Sequence, residues 1–289
     1  MNRRKADAAL ALNALIWGAT FTIVKAALRD ISPLLFLALR FSLAALALAA
    51  MWACGWHAAQ PKVRPSKAAA IVPGVVLFAG FFFQTLGLRL TSAPKSAFLT
   101  GLSSVMVPLL AAIVYRNKPQ AREVLGVLVA TAGLALMTLK GPLGSIGTGD
   151  LLTVACAAAF AGHIVTLGHY SGTMSFESLS VAQVSTAAVL AVSLFWWAET
   201  PQVVWRPEVV WAILVTGLLA TALAFSVQAW AQRHTTSTRT ALIYMLEPVF
   251  AWLISYSFTG EGLGGRGAAG AALILGGVAL VEVKPTAVR

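Results

Sequence analysis

The residues best placed to do chemistry in this chain are a carboxyl and a proline side by side in an apolar stretch. They are Glu247 and Pro248, within STRTALIYMLEPVFAWLISYSF from Ser237 to Phe258. That stretch is long enough to cross a bilayer. A carboxyl at membrane depth is costly, and its default reading is a functional group facing a protein or water cavity. The bland alternative is a carboxyl hydrogen-bonded to Ser, Thr or Tyr that locks helix packing. Pro248 lacks a backbone donor and weakens the helix one turn back, freeing a carbonyl near Tyr244. Tyr244 itself stands three residues before Glu247, on roughly the same face.

Other polar groups in apolar runs complete the inventory. Arg40 lies in PLLFLALRFSLAAL and either reaches back to the interface or faces a cavity, where it would bind a carboxylate or pair with Glu247. His163, in AFAGHIVTLGHY, can exchange protons near neutral pH or serve as a hydrogen-bonded packing residue. His169 lies about 240° around the helix from it, which disfavours a shared metal. Asn13, Trp17 and Thr20 are spaced by four and three and form one polar-aromatic stripe, suited to a cavity wall or a helix contact. Gln84, Thr100 and Gln228 are further cavity candidates, with helix-to-helix hydrogen bonding as the alternative for the glutamines.

The elements that must position these residues follow from composition. The 289 residues are 58% hydrophobic and only 11% charged, with the charges gathered between long apolar runs. A soluble domain is about one quarter charged, so this composition excludes one. The apolar windows predict ten spans, at about 20 residues per crossing. They run Ala8 to Leu28, Pro33 to Cys54, Ala68 to Leu88, Ser96 to Tyr115, Val124 to Leu139, Leu151 to His169, Leu179 to Ala198, Val209 to Trp230, Thr240 to Phe258 and Ala268 to Val283. Turn signals separate them at Ile31-Ser32-Pro33, Pro61 to Pro65 and Gly141 to Gly149. MNRRK before the first run reads as the start of an uncleaved first helix rather than a signal peptide. Trp196, Trp197 and Trp230, near span ends, read as interfacial anchors.

The net charge of +11 lies in short inter-span loops, a membrane-topology pattern rather than a nucleic-acid surface. On the side of the N-terminus stand Arg3, Arg4, Lys5, Lys62, Arg64, Lys67, Arg116, Lys118, Arg122, Arg233, Arg239, Lys284 and Arg289. Opposite stand Lys25, Arg29, Arg89, Lys95, Lys140, Arg206 and Arg266. Thirteen against seven predicts both termini in the cytoplasm, and the expected location is the inner membrane. Cys54 and Cys156 fall in separate spans without a CxxC, as free thiols.

Sliding the chain against itself by 144 residues aligns QTLGLRLTSAPKSAFL from Gln84 with QAWAQRHTTSTRTALI from Gln228. Gln84/Gln228, Arg89/Arg233, Thr91/Thr235, Gly126/Gly270 and Gly133/Gly277 coincide. The two units are 1–141 and 142–289, each with five spans. An odd number of crossings inserts the second unit from the opposite side, giving an inverted repeat, the usual plan of secondary transporters. Inversion sets Gln84 and Gln228 at opposite ends of any shared cavity. The glycines at 126, 133, 270 and 277 read as close helix packing.

The chain resembles the drug/metabolite transporter superfamily, in its EamA-type branch, as two tandem units. Trp17-Gly18, Arg40, SAFLTGLSSVMVPLLAA from Ser96 to Ala112, LEPVFAWL from Leu246 to Leu253, and Gly260-Glu261 with Gly270 and Gly277 carry the resemblance. It implies an all-α carrier of ten membrane helices, with the first four of each unit around a central cavity and the fifth peripheral. It also implies export of a small metabolite, amino acid or drug-like compound. Two features depart from symmetry. Pro108 and Pro248 differ by 140 rather than 144, and Arg116-Asn117 stands where the second unit has Gly260-Glu261.

No phosphate loop GxxxxGK[ST], HExxH or GxSxG is present, so no cofactor and no ATP-driven step are expected. The expected partners are a small-molecule substrate and the bilayer, without nucleic acid, and a homodimer stays open. The reading is a non-enzymatic carrier, with Glu247 and His163 as candidates for proton coupling. An intramembrane enzyme using Glu247 with His163, or a non-transporting scaffold or sensor, are the competing readings.

Overall fold

A computed structural model describes residues 2–56, 67–91, 93–116, 119–139, 146–259 and 264–282. The turn signals of Pro61 to Pro65 and residues 141–145, and the pair Gly260-Glu261, lie outside these. Every regular element among the described residues is a helix, with one isolated antiparallel bridge between Ile31 and Val203 in the connections. The chain is an all-α, multi-pass membrane protein.

The first unit comprises α1 (Asn2–Ala27), α2 (Pro33–Ala53), α3 (Lys67–Leu90), α4 (Ala93–Gly101), α5 (Ser103–Tyr115) and α6 (Ala121–Thr138). The second begins with α7 (Thr148–Tyr170), α8 (Phe176–Ala198) and α9 (Pro207–Leu214). There follow a π-helical segment (Val215–Leu223), α10 (Ala224–Ala231), α11 (Ser237–Tyr244), α12 (Glu247–Thr259) and α13 (Gly265–Glu282). Eight stretches among the described residues are long and apolar enough to cross a membrane, including Ser96–Tyr115 and Pro207–Ala231, which run through interruptions. A shorter apolar helix spans Gly265–Val281, and α11 with α12 fills the place of the ninth expected span.

Local chemistry sets the ends. Pro33 and Pro207 occupy first-turn positions where a missing N–H costs nothing. Glu123 accepts from the Gln120 amide at 3.0 Å, and Asp150 from the Gly147 amide at 2.9 Å, each satisfying an orphan donor. Ser175 and Thr236 cap α8 and α11 through their hydroxyls. Arg116 closes α5 in the left-handed region, φ 54°.

Two interruptions fall at repeat-equivalent places. The fourth span breaks at Leu102 and the ninth at Met245-Leu246, where one unbroken helix was expected from Thr240 to Phe258. Leu102 plus the 144-residue offset is Leu246. Pro248 explains the second break, since it cannot donate to the carbonyl of Tyr244; Glu247 thereby becomes the first residue of α12.

The inversion is visible in the packing of α6 on α13. A Cβ on Gly126 would lie 2.8 Å from the Gly277 carbonyl oxygen, and one on Gly133 would lie 2.5 Å from that of Gly270. The reciprocal distances are 2.5 Å at Gly277 and 2.6 Å at Gly270. Moving up α6 from 126 to 133 moves down α13 from 277 to 270, so these equivalent helices are antiparallel. The four glycines let two backbones touch where any side chain would intrude.

One end of the bundle gathers the start of α1, the ends of α5, α7, α10 and α13, and the start of α11. Arg239 donates there to Asp7 through Nε (3.1 Å) and Nη2 (3.0 Å), and to the Val281 carbonyl. At the opposite end Lys25 donates to the Leu88 carbonyl at 2.7 Å, Thr91 donates to Asp150 at 2.7 Å, and Arg206 pairs with Asp30. Trp196 and Trp197 are exposed at this second end, beside exposed Trp205 and Trp211, an arrangement suited to an interfacial belt. Cys54 is exposed and Cys156 buried, and both are free.

Candidate functional site

A cavity of about 500 Å³ lies between the two units. Its walls come from α1, α2, α3, α4, α5, α6, α7, α10, α11 and α12, and Met245 lines it from the second break. On α1, α3 and α6 the lining residues lie toward the C-terminal ends: Trp17 to Val24, Phe81 to Leu88 and Leu134 to Thr138. The cavity therefore extends from mid-bundle toward the end away from the N-terminus. At the N-terminal end the helices are tied instead. Tyr115 Oη donates to the Val165 carbonyl at 2.9 Å, and Gln232 Nε2 to that of Ile164 at 2.8 Å. Ser237 lies within 3.3 Å of both Tyr115 Oη and the Ile164 carbonyl.

Trp17, Thr20, Arg40, Gln84, Thr100, His163, Gln228, Tyr244 and Glu247 all line this cavity. Asn13 does not. It is fully buried one turn before Trp17, where its Nδ2 donates to the Ala224 carbonyl at 2.7 Å and lies 3.4 Å from Tyr244 Oη. The stripe on α1 is real in direction, but the space it faces is closed at Asn13 by packing against α10 and Tyr244.

Glu247 is half-buried, and its carboxyl has no hydrogen-bond or ionic partner among the described residues. The break before α12 sets it at a helix N-terminus, where the partial positive charge of the helix favours a carboxylate. Gly18 supports that placement: a Cβ there would be 2.7 Å from the Glu247 carbonyl oxygen, so only glycine lets α1 reach the break. Tyr244 packs edge-on against Trp17, ring centroids 4.7 Å apart, and makes no hydrogen bond to Glu247.

Arg40 faces the cavity rather than the interface and does not pair with Glu247. It is 5% exposed, with Nε donating to Thr221 Oγ1 at 2.7 Å and its guanidinium carbon 4.2 Å from the Phe81 ring centroid. His163 is 1% exposed and shares a 2.8 Å hydrogen bond between Nε2 and Gln183 Oε1. Gln183 Nε2 in turn donates to the Phe225 carbonyl at 3.4 Å. His163 and Glu247 share no hydrogen bond, so the one catalytic pairing that the sequence offers is not formed.

Gln84 lines the wall without a hydrogen-bond partner among the described residues. Gln228 donates to Gln232 Oε1 at 3.0 Å and leaves its own Oε1 unpartnered. The Trp252 Nε1 is a second buried polar atom without a partner. Thr100 lies 3.8 Å from the Cys156 sulfur, and Thr20 bonds back to the Trp17 carbonyl. Residues that sequence reasoning missed here include Phe81, Phe160, Phe225, Ser104 and Trp252. Only Trp252 carried a signal, five residues past Glu247 within LEPVFAWL. Among the described residues no group of three His, Cys, Asp or Glu side chains could hold a metal.

Comparison with known proteins places these features in context. The model of the EamA-like transporter family matches residues 4–139 and again 147–283. A protein named an uncharacterized transporter from Archaeoglobus fulgidus is 34% identical over 284 residues, covering 98% of this chain and 88% of that protein. The uncharacterized transporter YoaV of Bacillus subtilis is 22% identical over 253 residues, covering 83% and 85%. A solved crystal structure superposes with a TM-score of 0.77 at 21% identity, covering 96% of each chain, a likeness of fold.

Proposed function

Since the chain belongs to the EamA-like transporter family and is a membrane transporter, we propose that it is a secondary carrier that opens its cavity alternately to the two sides of the membrane. One observation carries this reading. The cavity is flanked by two broken helices, α4/α5 and α11/α12, interrupted at repeat-equivalent positions in units that run oppositely through the bundle. Exchange of shape between such units closes one end as it opens the other. The ties around Tyr115, Gln232 and Ser237 support a closed N-terminal end, while the cavity extends toward the opposite one.

The substrate is a small amphipathic metabolite, amino acid or drug-like compound. Aromatic walls at Trp17, Phe81, Phe160 and Phe225 suit an apolar body, and the unpartnered polar atoms of Gln228, Glu247 and Trp252 suit a polar head. Family resemblance alone favours export across the inner membrane, and the loop charges favour both termini in the cytoplasm. Reporter fusions that found either terminus outside would overturn that orientation.

Glu247 is the proton-carrying group of the cycle. Its carboxyl has no fixed partner and faces the translocated space, whereas His163 is engaged by Gln183 and serves as wall. In sealed proteoliposomes, substrate movement is expected to respond to an imposed pH gradient, and Glu247→Gln to abolish that response with the fold intact. A full response in the variant would refute coupling through Glu247. A chemically altered product made in detergent would refute the carrier reading itself.

A further inference from the structure

Arg40 is held by neutral groups alone. No carboxylate among the described residues lies within 4 Å of it, although it is buried and lines the cavity. Arginine does not shed its proton in proteins, and an unpaired buried charge is strongly unfavourable. What the chain supplies is a mount. Nε is fixed by Thr221 Oγ1, Nη2 is 3.4 Å from the Ala220 carbonyl, and the Phe81 ring lies 4.2 Å beneath the guanidinium carbon. With Nε and Nη2 engaged on the mount, the remaining N–H groups are left for an oxyanion, which a guanidinium can bind through two oxygens at once.

The mount is built from the π-helical segment. Wide π turns are uncommon and are enriched at functional sites. Here the carbonyl of Ala220 accepts from Trp17 Nε1 at 2.9 Å as well as facing Arg40, and just beyond the segment Ala224 accepts from Asn13. Gly217 brings the segment against α2, since a Cβ there would be 3.2 Å from the carbonyl oxygen of Arg40 itself. Backbone acceptors of the eighth span thus orient both Trp17 and Arg40 at the cavity wall.

We propose that Arg40 is the anion-recognising group of the transport site, that Thr221 on the π-helical segment is its positioning residue, and that the transported compound carries an oxyanion such as a carboxylate. This rests on the carrier reading and narrows it to acidic or zwitterionic solutes. The substrate oxyanion supplies the counter-charge that the chain withholds.

Three size-matched probes test it: 3-phenylpropionate, 3-phenylpropanol and 3-phenylpropylamine, applied to the full chain in nanodiscs of zwitterionic lipid, so that no anionic headgroup competes. Binding is read by thermal shift and tryptophan quenching. The acid is expected to bind wild type more tightly than the alcohol or amine. Arg40→Gln should weaken the acid by about thirtyfold or more, and the alcohol far less. Thr221→Val keeps the guanidinium and nearly the side-chain volume, and should weaken the acid by roughly tenfold with the alcohol again far less affected. Arg40→Lys should restore part of the preference, because charge returns without the planar fork.

An alcohol or amine that binds as well as the acid, no acid-induced shift at all, or an acid preference that survives Arg40→Gln would overturn the proposal. Equal losses for acid and alcohol in Thr221→Val would reduce Thr221 to packing and overturn its positioning role. Replacing part of the lipid with phosphatidylglycerol distinguishes a headgroup occupant: competition by that lipid, with no binding of the free acid in its absence, overturns the solute assignment. Failure of the carrier reading has a separate signature, namely acid that binds through Arg40 yet never crosses sealed vesicles.

Discussion

Asp7→Asn should loosen the N-terminal end of the bundle. Arg239 grips Asp7 through two N–H groups, at 3.1 and 3.0 Å, and its Nη1 holds the Val281 carbonyl at 3.0 Å, so one guanidinium ties α11 to both α1 and α13. The two side chains are 5% and 11% exposed. An exposed ion pair contributes about 0–1 kcal/mol, whereas breaking a buried one by removing a partner costs about 3–5 kcal/mol. With roughly a tenth of the carboxylate in contact with solvent, and an Asn oxygen still able to accept one bond, the loss should fall near 2 kcal/mol, about thirtyfold in an opening equilibrium. The reporter is a thiol in place of Ser237, which is buried within the ties at that end, in a chain whose exposed Cys54 is replaced by Ser. Its alkylation by a membrane-impermeant maleimide from the N-terminal side should accelerate about thirtyfold when Asp7→Asn is added, and fall back in the charge-exchanged pair Asp7→Arg with Arg239→Asp. An unchanged rate would refute the assignment, as would a lower melting temperature without greater access.

Two further outcomes test the packing that frames the site. Gly133→Leu should destabilise the protein by at least about 1–3 kcal/mol, because its side chain must displace a backbone carbonyl rather than another side chain. Gly276→Ala, with nothing within 4 Å of its added Cβ, should leave thermal melting in detergent unchanged, and equal melting of the two variants would refute the glycine crossing. Gln183→Leu removes the partner of His163 Nε2 and should cost about 1–3 kcal/mol. It should also leave the pH-gradient response of transport in place; loss of that response would return His163 to the coupling role.

Much of the fold was legible because apolar length is a strong signal and the repeat supplied a second reading of several spans. The broken ninth helix was half legible. Pro248 marks a carbonyl without a donor, but the sequence alone does not say whether the helix bends or stops. The π-helical segment was not legible, because VTGLLATAL contains no residue that forces a wide turn, and the partners of its Ala220 carbonyl, Trp17 and Arg40, come from other helices. Periodicity found the right face of α1 yet overreached at Asn13, since spacing gives direction around a helix and not depth in a cavity. Gln183 was invisible for the opposite reason. Its segment has no anomaly except one amide, and only its 2.8 Å contact with His163 makes it matter.

The two units share packing but divide chemistry, and that division bears on how one site can serve two conformations. Thr91 donates to Asp150 at one end and its repeat mate Thr235 lies 3.3 Å from Asp7 at the other, so each unit clasps the next in the same way. The cavity has no such symmetry. At the 144-residue offset Arg40 answers to Val184, Glu247 to Ser103 and His163 to Ala19. Were each ionisable group duplicated, exchange of the units would present the substrate with a second cation and a second carboxyl, and two unequal half-sites would compete. With one of each, the proposed exchange of shapes would leave a substrate the same cation and the same carboxyl. Restoring symmetry with Val184→Arg would bury a second charge with no mount like the π-helical segment to hold it, so on the proposed cycle a single cation is the arrangement that the packing accommodates.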